Sequence, residues 1–191
     1  MLRQVVLLFI LAGLASPVFS QDSGSKDKSF DVRSSVGDLH MGPDADAKKV
    51  GVPLYPGARL KSDDGNSNQA NLSLLTEAFG MKLVVANYVS DDAPPKVLDF
   101  YRDKLKRYGK VLECHSQKHG GDFDVHDSDN DSDKGSGKRK ELKCDEDSGP
   151  VTELKVGTED NQHIVAVEPA DGKGTHFALV YVHTRGKQGE I

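Results

Sequence analysis

Cys114 and Cys144 are the only cysteines in a chain of 191 residues, and the stretch between them is almost devoid of apolar side chains. If the two sulfurs join, the segments on either side must come together at one place. The polar stretch is then left as a loop outside the core. The pairing requires an oxidising compartment, and the N-terminus predicts one. Arg3 gives a short basic start, Val5 to Ala15 is an unbroken run of small or apolar residues, and Pro17 ends it. Val18 and Ser20 place small side chains where a signal peptidase would cut before Gln21. The run is too short for a membrane helix, which needs roughly 20 residues. Residues 1–20 are therefore expected to be a signal peptide, and the mature chain is expected to have no membrane span. The setting is periplasmic or secreted. A disulfide closing a loop of this length is worth about 3–4 kcal/mol in the chain-entropy picture.

The formal net charge is −5, and losing Arg3 with the signal makes it one unit more negative. A mildly acidic chain does not gather nucleic-acid phosphates by bulk attraction, so no nucleic-acid partner is expected. There is no Trp, which argues against a stacking platform for sugars or bases.

Residues 21–49 read as a flexible N-terminal linker, because they open with Gln, Asp, Ser, Gly and Lys. Within them Phe30, Val32, Leu39 and Met41 are sparse apolar points around Gly37-Asp38, where a short edge pairing is conceivable. A single domain is expected over 50–185, followed by a flexible tail at 186–191. It begins with Val52-Pro53-Leu54-Tyr55-Pro56-Gly57-Ala58, an extended segment closed by a Pro-Gly turn. Leu72 to Thr76 and Lys82 to Val89 are expected strands, the second apolar on both faces.

The clearest helix runs from 93 to 108. Val97, Tyr101, Leu105 and Tyr108 recur at spacings of four, four and three, and Leu98 and Phe100 widen the stripe. Pro94 and Pro95 suit a first turn, Asp91 or Asp92 is the expected cap, and Gly109 the stop. Short strand candidates follow at 111–114, 141–144, 152–157, 163–167 and 176–183. The last two are separated by a Pro-Ala-Asp-Gly-Lys-Gly turn and read as a hairpin. The predicted fold class is α+β: a small antiparallel sheet with this one main amphipathic helix packed on one face.

The Leu-Tyr-Pro-Gly-Ala entry at 54–58 and the Phe100-Tyr101-x-x-x-Leu105 helix resemble those of a family of uncharacterised exported bacterial proteins. The likeness covers mainly residues 50–113. It implies an envelope or secreted setting and brings no catalytic residue with it.

Two chemistries compete for the polar loop at 115–140. His115, His119 and His126 are candidate nitrogen ligands for a transition metal, and Asp129, Asp131 and Asp133 are candidate oxygen ligands for a divalent cation. The acidic run fails as an EF-hand, since Lys134 and Lys140 stand where Gly and Glu are needed. His115 and His119 would converge only on a helix, which Gly120-Gly121 opposes. The opposing reading is a solvated, disordered loop. No nucleophile elbow, phosphate loop or zinc-protease motif is present, and His163, His176 and His183 lie on strand candidates. No catalytic residue and no cofactor are expected. The leading expectation is a non-catalytic binding or structural module contacting an envelope protein or a small ligand. The alternatives are a metal-binding protein using the loop, and an enzyme whose site comes from distant residues.

Overall fold

The computed structural model describes residues 29–62, 68–117, 141–144, 148–170 and 172–186. Nine strands form one antiparallel sheet: β1 Phe30–Ser34, β2 Gly37–Gly42, β3 Arg59–Leu60, β4 Gln69–Thr76, β5 Gly80–Ser90, β6 Leu112–Ser116, β7 Val151–Thr158, β8 Asn161–Pro169 and β9 Thr175–Arg185. Their order across the sheet is β1-β2-β4-β5-β9-β8-β7-β6, with β3 pairing alongside on β5. Two short helices accompany it, α1 Ala47–Val50 and α2 Pro94–Leu105, the latter continued by a 3₁₀ turn at Lys106–Tyr108.

This corrects the expected class. The protein is mostly antiparallel sheet, not an α+β fold organised around a main helix. The local pattern does make a helix at α2, which buries Val97, Leu98, Tyr101 and Leu105. It covers only part of one face of a sheet eight strands wide. The sheet outgrows the expectation because its central pairing is non-local. In β5 and β9, Gly80 through Ser90 pair without a break with Arg185 back through Thr175.

Within the stretch 21–49 expected as linker, residues 30–34 and 37–42 are strands of the same sheet. β1 and β2 form a hairpin around Ser35-Val36, and β2 continues the sheet from β4. Asp46 caps α1 by accepting from the Lys49 amide at 2.7 Å. The expected cap of α2 does not form: Ala93 is the N-cap and has no side-chain bond. Asp92 instead accepts from Tyr55 Oη and from Lys96 Nζ, each at 2.8 Å. Asp91 accepts both guanidinium nitrogens of Arg59, at 2.9 and 3.1 Å. Residues 141–144, expected as a strand, are not one. They are held beside β6 by the Cys114–Cys144 disulfide, whose Cα atoms lie 5.5 Å apart. Residues 1–28, 118–140 and 187–191 lie outside the described residues. The expected signal peptide, most of the polar loop and the end of the tail fall there.

The main core lies between the sheet and both helices. Val84, Ala86, Tyr88, Leu154, Val156, Val165, Val167, Phe177 and Leu179 meet Ala47, Val50, Val97, Tyr101 and Leu105 there. Tyr55 joins it from the Pro-Gly turn, in which the Ala58 amide donates to the Tyr55 carbonyl at 3.1 Å. Gly57 takes φ 76°, the position of such a turn that favours glycine.

Candidate binding face

Side chains alternate along each strand, so the residues between the helix-facing ones belong to the other side of the sheet. There a second cluster packs Val85, Val151, Ile164, Ala166, Ala178 and Val180, with Leu83 and Val182 beside it. Among the described residues no helix covers this side. Both helices sit on the first core.

The strand registers extend the cluster sideways. Directly opposed residues in an antiparallel pair share a face. Phe30 opposes Met41, Met41 opposes Leu72, Leu72 opposes Leu83, and Leu83 opposes Val182. One apolar row therefore crosses five strands, a span of about 19 Å at the usual strand spacing. Beside it run Val32, Leu39, Leu74 and Met81, paired in the same way. A third row passes through Ala70, Val85, Val180 and Ile164 to Lys155.

Exposure grades along this face. Val180 and Ala178 are wholly buried. At the β1–β2 wing Phe30 is 56% exposed, Met41 52% and Val32 40%. Single exposed apolar residues are ordinary, but a contiguous group marks a contact surface. The far side of the face ends in polar chemistry beside the disulfide. Glu153 opposes Cys114 across β6 and β7. Its carboxylate accepts from Ser116 Oγ at 2.8 Å and lies 3.2 Å from Lys155 Nζ, with both charged side chains largely buried. His176 and Glu168 also share this face, 3.8 Å apart.

The helix side carries its own polar and aromatic groups. His163 lies against Tyr108 and Tyr181 in tilted ring contacts, with centroids 4.3 and 4.9 Å away. Burial pushes its pKa below the ordinary 6.5, against a hydrogen bond to the Val50 backbone. His183 stacks on Tyr181, with ring centroids 6.4 Å apart. The Nδ1 atoms of His163 and His183 are buried without a hydrogen-bond partner. On β2, His40 lies between Asp31 at 2.8 Å and Asp44 at 3.3 Å. Asp44 also pairs with Lys49, and that hydrogen bond is the main cause that pulls its pKa down to about 2.

Of the candidate metal ligands, only His115 is among the described residues, on β6 opposite Thr152. His119, His126, Asp129, Asp131 and Asp133 lie outside them. Among the described residues no three His, Cys, Asp or Glu side chains gather as a metal site. No helix there is long and apolar enough to cross a membrane. The apolar face of the sheet is not among the sequence expectations. Its signal was the two-residue spacing of Phe30/Val32, Leu39/Met41 and Leu72/Leu74, which is the strand period.

Comparison with protein-family models, curated proteins and solved structures finds no match to this chain.

Proposed function

We infer that this is an exported, non-catalytic binding module that holds the apolar chain of an amphiphile on the helix-free face of its sheet. The carrying observation is the unbroken row Phe30–Met41–Leu72–Leu83–Val182, open to solvent at one end and leading toward the buried Val180 and Ala178. A straight apolar track of about 19 Å suits an extended acyl chain better than a compact ligand. The Met41 and Met81 side chains add an adaptable lining. The polar side chains that do converge have structural work: Asp91 and Asp92 tie the Pro-Gly segment and α2 together, and Glu153 ties β6 to β7. Export is supported by the apolar run at Val5–Ala15 and by the disulfide. The likeness of residues 50–113 to exported bacterial proteins fits the same setting, in the periplasm or outside the cell.

The test is titration with a fluorescent long-chain fatty acid. Met41→Asp and Phe30→Asp alter exposed positions on the face and should weaken binding at least tenfold. Leu75→Asp is the control: Leu75 is also exposed, at 44%, but pairs with Gly80 on the opposite side of the sheet. Absence of binding by the unaltered protein, or equal loss in all three variants, would overturn the reading.

A further inference from the structure

We propose that the chain also self-associates, by pairing its β1 antiparallel with the β1 of a second copy about a two-fold axis at Val32. β1 is the outer strand of the sheet, and among the described residues it pairs only with β2. All five of its residues are exposed. An open strand edge is a template for another strand, and proteins usually blunt it with like-charged side chains, proline, a bulge or a covering element. The charges of β1 are of both signs and so can complement a second copy. Phe30-Asp31-Val32-Arg33-Ser34 contains no proline, and its register with β2 is unbroken.

The register can be derived. The two-residue turn closes on the Ser34–Gly37 pair, which makes that pair the hydrogen-bonded one. Alternation then turns the backbone groups of Phe30, Val32 and Ser34 toward β2. Those of Asp31 and Arg33 face the open edge. A second β1 can therefore bond only where its own Asp31 and Arg33 face these. Setting Asp31 against Asp31, or Arg33 against Arg33, opposes like charges. Centring on Val32 instead sets Asp31 against the second copy's Arg33, and Arg33 against the second copy's Asp31. Opposed charges on facing strand positions are favourable and like charges unfavourable. His40 Nδ1, 2.8 Å from Asp31 Oδ1, holds that carboxylate on the side of the sheet where the incoming guanidinium arrives. On the other side Val32 meets Val32, so the apolar wing of one copy continues into that of the next.

Sedimentation equilibrium of the disulfide-bonded protein tests this. The unaltered protein should show a concentration-dependent dimer. Arg33→Asp makes both edge pairs acidic, and Asp31→Arg makes both basic. Each variant alone should dimerise at least tenfold more weakly, and an equimolar mixture should recover the dimer, because acidic and basic edges complement one another. Both variants retain every side chain of the apolar face. Fatty-acid titration on the same samples therefore reads the binding function separately. A protein that stays monomeric up to millimolar concentration, or a mixture no more dimeric than its components, would overturn the proposal.

Discussion

The backbone amide of Tyr55 donates to the phenol oxygen of Tyr101 at 3.1 Å, joining positions 46 residues apart in the sequence. Tyr55 Oη in turn donates to Asp92, just before α2. The Tyr-Pro-Gly-Ala entry and the Phe-Tyr helix are thus two halves of one joint. Tyr55 packs edge-on against Phe100 and Phe177, at 5.2 and 6.5 Å between centroids. The joint closes the helix side of the sheet; on the opposite side the apolar residues are exposed at the β1–β2 wing, where Phe30, Val32 and Met41 lie.

Tyr101→Phe should cost about 1–3 kcal/mol, the penalty for a buried amide left without its acceptor. Tyr101 is fully buried, so water cannot replace the oxygen. Burial also holds its phenol pKa well above the ordinary value of 10.0. Urea denaturation should show the lower midpoint with an unchanged slope. An unchanged midpoint would mean the bond adds nothing.

Lys155→Met should be worse than it looks from outside. It strips the ion-pair partner from a Glu153 carboxylate that is itself mostly buried and leaves it the Ser116 hydroxyl. Losing one member of such a pair costs about 3 kcal/mol, while replacing both by apolar residues of similar size recovers much of it. The expected order of stability is therefore parent, then the double variant Glu153→Leu with Lys155→Met, then Lys155→Met alone. Thermal unfolding of the three proteins gives the order directly.

Reducing the disulfide should remove about 3–4 kcal/mol, since Cys114 and Cys144 close a loop of 30 residues. For a chain of this size that lowers the melting temperature by roughly 10 °C. Calorimetry of the oxidised protein against the double Cys→Ser variant measures it.

Two histidines should give the stability opposite pH slopes. The hydrogen bond that the ring donates to Asp31, with the one to Asp44, raises the His40 pKa above 6.5. Its contribution is therefore complete below pH 6.5 and is lost as pH rises through the folded value. Burial lowers the His163 pKa below 6.5, so its contribution is complete above pH 6.5 and is lost as pH falls through the folded value. His40→Gln should flatten the alkaline side of the profile and His163→Phe the acid side. Denaturant midpoints between pH 4.5 and 8.5 would show it.

What the sequence made legible was local. Spacings of four, four and three marked Val97, Tyr101, Leu105 and Tyr108 as one side of a helix. The Pro169–Gly174 turn marked the β8–β9 hairpin, in which Pro169 pairs with Thr175. The two cysteines marked a staple because an oxidising destination leaves few other fates for them. What stayed hidden was non-local. Nothing near Leu83 announces Val182, 99 residues on, as its neighbour. The partners of Met41 are Phe30 and Leu72, the latter supplied by a strand beyond α1 and β3. Without those partners the scattered apolar points from Phe30 to Met41 resemble a linker. The acidic pair Asp91-Asp92 misled in a related way: capping is the usual local use of Asp, but Arg59 and Tyr55 approach from elsewhere and take both carboxylates.

The central claim concerns one side of the sheet, and methyl-resolved NMR addresses it most directly. A long-chain fatty acid titrated into methyl-labelled protein should shift the resonances of Val32, Met41, Leu72, Leu83 and Val182. It should leave Val97, Leu105 and Leu154, beneath the helix, in place. Shifts confined to the helix side, or no saturable shifts at all, would contradict the account.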